Sequence, residues 1–172
     1  MKLLFYKYFF ILFFNCSIIA AQLKIVQCGV LIDGVSKEPK KVVSIIIKDG
    51  TIIDIAEGYV DPGKNDIVFD LNEYTVLPGL MDMHVHLSTE SHPKDYMEKH
   101  NFNLDDFAYQ SVLYAKRTLL SGFTTVRDLG GPINTSLRDA IKRKHIIGPR
   151  VFSAGIAIST TGGYKDQTGD LN

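Results

Sequence analysis

The chain has 172 residues, with 19 Lys and Arg against 19 Asp and Glu and a formal net charge of zero. That balance excludes the strong basic field that non-specific nucleic-acid binding needs. A hydrophobic share of 45% excludes disorder as the main state, and the length fits one or two small domains.

Residues 1–21 read MKLLFYKYFFILFFNCSIIAA. Lys2 and Lys7 make a positive start, an apolar run follows, and Ala20 and Ala21 precede the polar Gln22. This is the layout of a secretory signal peptide, so a secreted or periplasmic location is expected. The run is shorter than the roughly 20 apolar residues of a spanning helix, so no stable membrane span is expected after cleavage. Asn15 before Cys16, with Ile18 and Ile19 after it, argues against a lipidated cysteine. Cleavage near Ala21 leaves Cys28 as the one thiol, which excludes an intramolecular disulfide, and Cys28 is expected as a small apolar residue in a strand.

Residues 22–75 show short apolar runs divided by turn signals and no helical period. Strands are expected over 23–32, 42–47, 51–55 and 67–69. Asp49-Gly50 is a type I′ hairpin signal between the second and third. The expectation is a small β-sandwich or half of one, marginal as an independent core at this size.

Residues 76–172 change character. Residues 80–87, LMDMHVHL, form a strand after the Pro78-Gly79 break. Asn103 can cap a helix with an apolar stripe of Leu104, Phe107, Ala108, Ser111, Ala115 and Leu119, ending at Gly122. A strand over 123–128, a helix over 136–145 and a strand over 150–156 follow. Strand and helix alternate as in an α/β protein with a parallel sheet.

The chemistry concentrates at His84 and His86. Residues i and i+2 of a strand share a face, roughly 6.6 Å apart, so two imidazoles can converge on one metal ion with bonds of about 2.0–2.1 Å. The His-x-His tripeptide alone is a weak signal, because paired histidines also occur as ordinary strand residues. Its position at the C-terminal end of a strand in a parallel βα unit, where such sheets carry their sites, strengthens it. By strict alternation Asp82 falls on the same face, as support for an imidazole or as a polar core contact. Arg127 and Asp128 end the next strand, as functional rim residues or as a structural ion pair. His92, His100 and His145 are expected in solvent, with His92 a remote substrate-loop candidate.

Residues 76–87 (VLPGLMDMHVHL) resemble the first barrel strand of the amidohydrolase superfamily, preceded by that superfamily's small β-domain. Residues 122–131 (GFTTVRDLGG) and 158–166 (ISTTGGYKD) resemble its imidazolonepropionase-related and prolidase-like subgroup. The resemblance runs from about residue 23 to the end. It implies a (β/α)₈ barrel with one or two divalent ions, usually zinc, that activate water against the carbonyl of a small amide such as a dipeptide or cyclic amide. It makes His84 and His86 metal ligands. It places the bridging ligand, further histidines and the aspartate general base on later strands, so the general base is expected beyond Asn172. The subgroup pattern Thr-Gly-Gly-His-Gly-Asp is broken here by Tyr164 and Lys165, which bears on substrate class. Tyr164 is either a substrate hydroxyl donor or a loop aromatic.

A complete barrel of this kind takes about 250 residues. Residues 80–172 hold three strands and two helices, so the expectation is an amino-terminal piece of a longer hydrolase, inactive by itself. The competing reading is a catalytically inactive envelope binding module.

Overall fold

The computed structural model describes residues 22–90, 93, 101–156, 158 and 160. The segment read as a signal peptide, and Tyr164 with its loop, lie outside the described residues, as do His92 and His100. Asn172, beyond which the general base is expected, also lies outside them. The chain divides between Pro78 and Gly79 into two compact units.

The first unit is one four-stranded mixed sheet of β1 (Lys24–Leu31), β2 (Lys40–Lys48), β3 (Thr51–Glu57) and β4 (Ile67–Val76), in the order β3-β2-β1-β4. The β2–β3 hairpin turns through Asp49 (φ 50°) and Gly50 (φ 79°), the two positive φ values that a type I′ turn requires. β4 runs parallel to β1 and is longer than its Ile67-Val68-Phe69 nucleus suggests, because Thr75 and Val76 pair with Val30 and Leu31. Among the described residues this unit holds one sheet, which answers to half of the expected sandwich. Cys28, Leu31, Val43 and Ile45 form its core, with Val26, Ile47, Ile55 and Val76 packed against them. Burial pushes the Cys28 thiol pKa up, as befits an inert apolar cysteine. Buried Ser44 is satisfied at both ends: its Oγ donates to the Gly58 carbonyl at 2.9 Å and accepts from the Val60 amide at 3.0 Å.

The second unit is a parallel sheet of β5 (Leu80–Val85), β6 (Phe123–Asp128) and β7 (Arg150–Ser153), with β6 central. Helix α1 (Leu104–Leu120) joins β5 to β6, and α2 (Asn134–Lys142) joins β6 to β7. The Asp106 carboxylate accepts the Asn103 amide at 2.9 Å, and Asp105 and Asp106 put negative charge at the positive end of α1. The α1 stripe is narrower than its period suggests. Ser111 and Ala115 are buried, Phe107 and Ala108 pack against the core, and Leu104 is exposed. Helices and sheet meet over Leu87, Ala115, Val126, Ile133, Leu137 and Val151. This core gives the sheet a helix-covered face and an opposite face on which Met81 and Phe152 are exposed.

Candidate active site

The register of β5 against β6 decides where the candidate residues point. Met81 pairs with Thr125, Asp82 with Val126, and then Val85 with Asp128, so three steps on β5 match two on β6. One extra residue sits at Met83–His84, a β-bulge, which is rare in a parallel pair. Paired residues share a face, and Val126 and Asp128 are both fully buried. Asp82 and Val85 therefore lie with the helix-covered face, and Leu87 joins the core there. His84 and His86, on either side of Val85, fall together on the opposite face. Strict alternation puts Asp82 beside them; the extra residue reverses its side.

His84 is exposed and His86 is half-buried, and their ring centroids lie 5.8 Å apart with the rings inclined at 73°. The Nδ1 of His86 is 3.0 Å from the Gly130 carbonyl oxygen. A carbonyl only accepts, so Nδ1 carries the proton in this contact, and Nε2 of the neutral ring keeps its lone pair. Metal-binding histidines are commonly oriented through the other nitrogen in this way.

Asp128 holds the frame around His86. Its side chain is fully buried, and Oδ2 accepts the Leu87 amide at 2.8 Å while Oδ1 accepts the Gly130 amide at 3.0 Å. One carboxylate thus ties the residue after His86 to the residue whose carbonyl takes the His86 ring. Nδ2 of Asn134, the first residue of α2, also donates to Asp128 Oδ1. Asn134 is fully buried and its Oδ1 has no partner among the described residues. Gly131 fits tightly here, since a Cβ on it would lie 2.7 Å from both Asn134 Oδ1 and Ser88 Oγ.

Arg127 and Asp128 do not pair with each other. They point to opposite faces, and Arg127 Nε donates to the Met83 carbonyl at 2.9 Å. Asp82 Oδ1 accepts the His84 backbone amide at 2.9 Å, so its contact is with the backbone of a candidate ligand and not with its ring. His145 is away from this cluster, its amide bonded to Ala140. The Gly130 carbonyl and Asn134 went unnoticed in the sequence. A carbonyl has no residue-type signature, and Asn134 reads there as an ordinary loop residue after Gly130-Gly131-Pro132.

Among the described residues no three His, Cys, Asp or Glu side chains are grouped as a metal site. The two histidines still fit as part of one: they share a face, sit at a strand's C-terminal end, and the better-held ring is fixed through Nδ1. Two imidazoles would make up two of the about four donors that such an ion takes.

Residues 75–171 match the model of the amidohydrolase family. The chain is 30% identical over 153 residues to an ochratoxinase of Aspergillus niger, covering 85% of this chain and 31% of the relative. A solved Xaa-Pro dipeptidase with methionine bound in its active site superposes with a TM-score of 0.80 at 38% identity, covering 88% of this chain and 37% of that one. A solved prolidase in complex with N-methylphosphonate-L-proline gives 0.75 at 29% identity, covering 88% and 36%. The chain thus spans about a third of the length of these relatives. The match covers the sheet with both histidines and both helices that back it, and the chain belongs to the amidohydrolase family.

Proposed function

We propose that the chain belongs to a metal-dependent hydrolase that cleaves C–N bonds in small amides, with dipeptides as the first substrate class and cyclic amides as the second. The observation that carries this reading is the His84–His86 pair on one sheet face, with His86 Nδ1 held by the Gly130 carbonyl. The similarity to a dipeptidase and to a prolidase holding a proline analogue supports the dipeptide class. His84 and His86 serve as two ligands of a divalent ion, zinc in the first instance. Such an ion, when bound, lowers the pKa of water towards about 7 and polarises a carbonyl.

The chain's own residues prepare that chemistry. The Gly130 carbonyl fixes the proton on Nδ1 of His86 and leaves Nε2 as the donor. Asp128 holds Leu87 and Gly130, so the ring and its acceptor keep one spacing. Pre-set ligands of this kind avoid ordering costs when an ion binds. The layout of residues 1–21 supports export to the periplasm or the exterior as the place of action.

The test uses the protein containing this chain. It is expected to purify with stoichiometric divalent metal and to hydrolyse Xaa-Pro dipeptides, and H84A and H86A are expected to lose both. Unchanged metal content in the double variant overturns the ligand assignment. Full metal with no hydrolysis of any amide in a dipeptide and cyclic-amide panel overturns the substrate class.

A further inference from the structure

At the Met83–His84 bulge two backbone groups, the Met83 carbonyl and the His84 amide, are bonded by side chains. Arg127 Nε donates to the Met83 carbonyl at 2.9 Å, and Asp82 Oδ1 accepts the His84 amide at 2.9 Å. We propose that Asp82 and Arg127 are positioning residues: a clamp across the bulge that fixes the backbone at His84 and with it the spacing of His84 from His86. This deepens the ligand reading above and rests on it.

Three observations carry the proposal. The extra residue lies between Asp82 and Val85, so the bulge is located by register at the first histidine. Its His84 amide and Met83 carbonyl are bonded by the residue before the bulge and by a residue of the neighbouring strand, so the distortion is held from both sides. Asp82 and Arg127 lie with opposite faces of the sheet, since Asp82 pairs with buried Val126 and Arg127 follows Val126 by one. A clamp from two faces resists both ways in which the bulge could relax.

The physical consequence concerns the histidine rings. A strand without the extra residue but ending on the same Val85–Asp128 pair would keep His84 opposite Val85, but it would change what precedes it. The bulge offsets an opposite shift at the start of β5, between the Leu80–Phe123 and Met81–Thr125 pairs, so that Val85–Asp128 returns to the register of Leu80–Phe123. If either partner is removed, the amide or carbonyl it bonds is left unpaired and the backbone at the bulge loses one of its two holds. His84 is the residue at the bulge. His86 is held separately by Gly130 and Asp128.

The test titrates Co²⁺ into the metal-stripped protein containing this chain and reads the visible d–d spectrum, with amide hydrogen exchange of His84 as a metal-free readout. D82A and R127M are expected to bind Co²⁺ about 10–100-fold more weakly, with an altered spectrum, as outer-shell substitutions do. D82N keeps an acceptor oxygen and R127K keeps a donor, so both are expected to restore most of the affinity. His84 amide protection should fall in D82A and return in D82N. R127M changes an exposed side chain and carries the same test if D82A does not fold.

Wild-type affinity and spectrum in D82A and R127M, with binding lost in H84A and H86A, overturns the clamp and leaves the ligand assignment standing. Wild-type binding in H84A and H86A overturns the ligand assignment and, with it, the clamp. Equal losses in D82N and D82A also overturn the clamp, because the acceptor oxygen would then not be what matters.

Discussion

At the residue scale the most constrained group is the Asp128 carboxylate, fully buried and accepting from Leu87, Gly130 and Asn134. Its two backbone contacts require an acceptor on each oxygen. D128N turns one of them into an NH₂ group that faces an N–H, leaving a buried donor unpaired at a cost of about 1–3 kcal/mol. The expected result is a lower urea midpoint with an unchanged m-value, together with a change in the His86 ring environment seen by NMR. An unchanged midpoint would show that the carboxylate does not hold this frame. Gly131 gives a second case. In G131A the new Cβ must displace Asn134 and Ser88, both buried polar residues, and overpacking of this kind costs about 1–3 kcal/mol.

At the scale of elements, most of what the sequence says concerns period and punctuation. β6 is found over Phe123–Asp128 as the pattern predicts, and the Asp49-Gly50 hairpin has the predicted turn. The α1 helix falls between its capping Asn103 and Gly122. β4 was only partly legible, since its last residues pair through an irregular register that alternation does not reveal. The same limit hid the side of Asp82: a bulge is a relation between two strands, and no residue type near Met83 announces it. The loop after β1 is a local device that composition also conceals. Asp33 accepts the Ser36 and Val35 amides and the Ser36 hydroxyl, and pairs with Lys40 at 3.1 Å. The backbone amides of Ser36 and Val35, then the Ser36 hydroxyl and Lys40, hold its carboxyl well below the usual carboxylate range. A depressed folded-state value means that its contribution is present above the ordinary carboxylate range and is lost as pH falls through the depressed one. The expected outcome is an Asp33 NMR titration displaced to strongly acidic pH, and an acid limb of stability that flattens in D33N. A midpoint at the ordinary aspartate value would contradict these bonds.

At the scale of the whole chain, the division at Pro78 and Gly79 separates two cores, one around Cys28 and Val43 and one around Val126 and Leu137. The histidines belong wholly to the second, on a strand whose neighbour β6 is central, with a strand on each side. The sequence resemblance located that strand because Pro78-Gly79 and the His-x-His tripeptide sit in one short segment. The loop contacts that hold it come from residues about 44 positions away, and spacing within a segment does not show them. A ligand that binds only the native state stabilises by RT ln(1 + [L]/Kd), about 2.7 kcal/mol at a hundredfold excess over Kd. That gain appears in hydrogen exchange at the amides whose opening releases the ligand. Addition of Zn²⁺ to the stripped protein containing this chain is therefore expected to slow exchange in Leu80–Val85 and Phe123–Asp128. Exchange in Lys24–Leu31 and Lys40–Lys48 is expected to stay unchanged, because those strands open around a separate core. Protection confined to β1 and β2 would place the ion away from His84 and His86. Equal protection in both units would mean that they open together and that the two cores are not separate in stability.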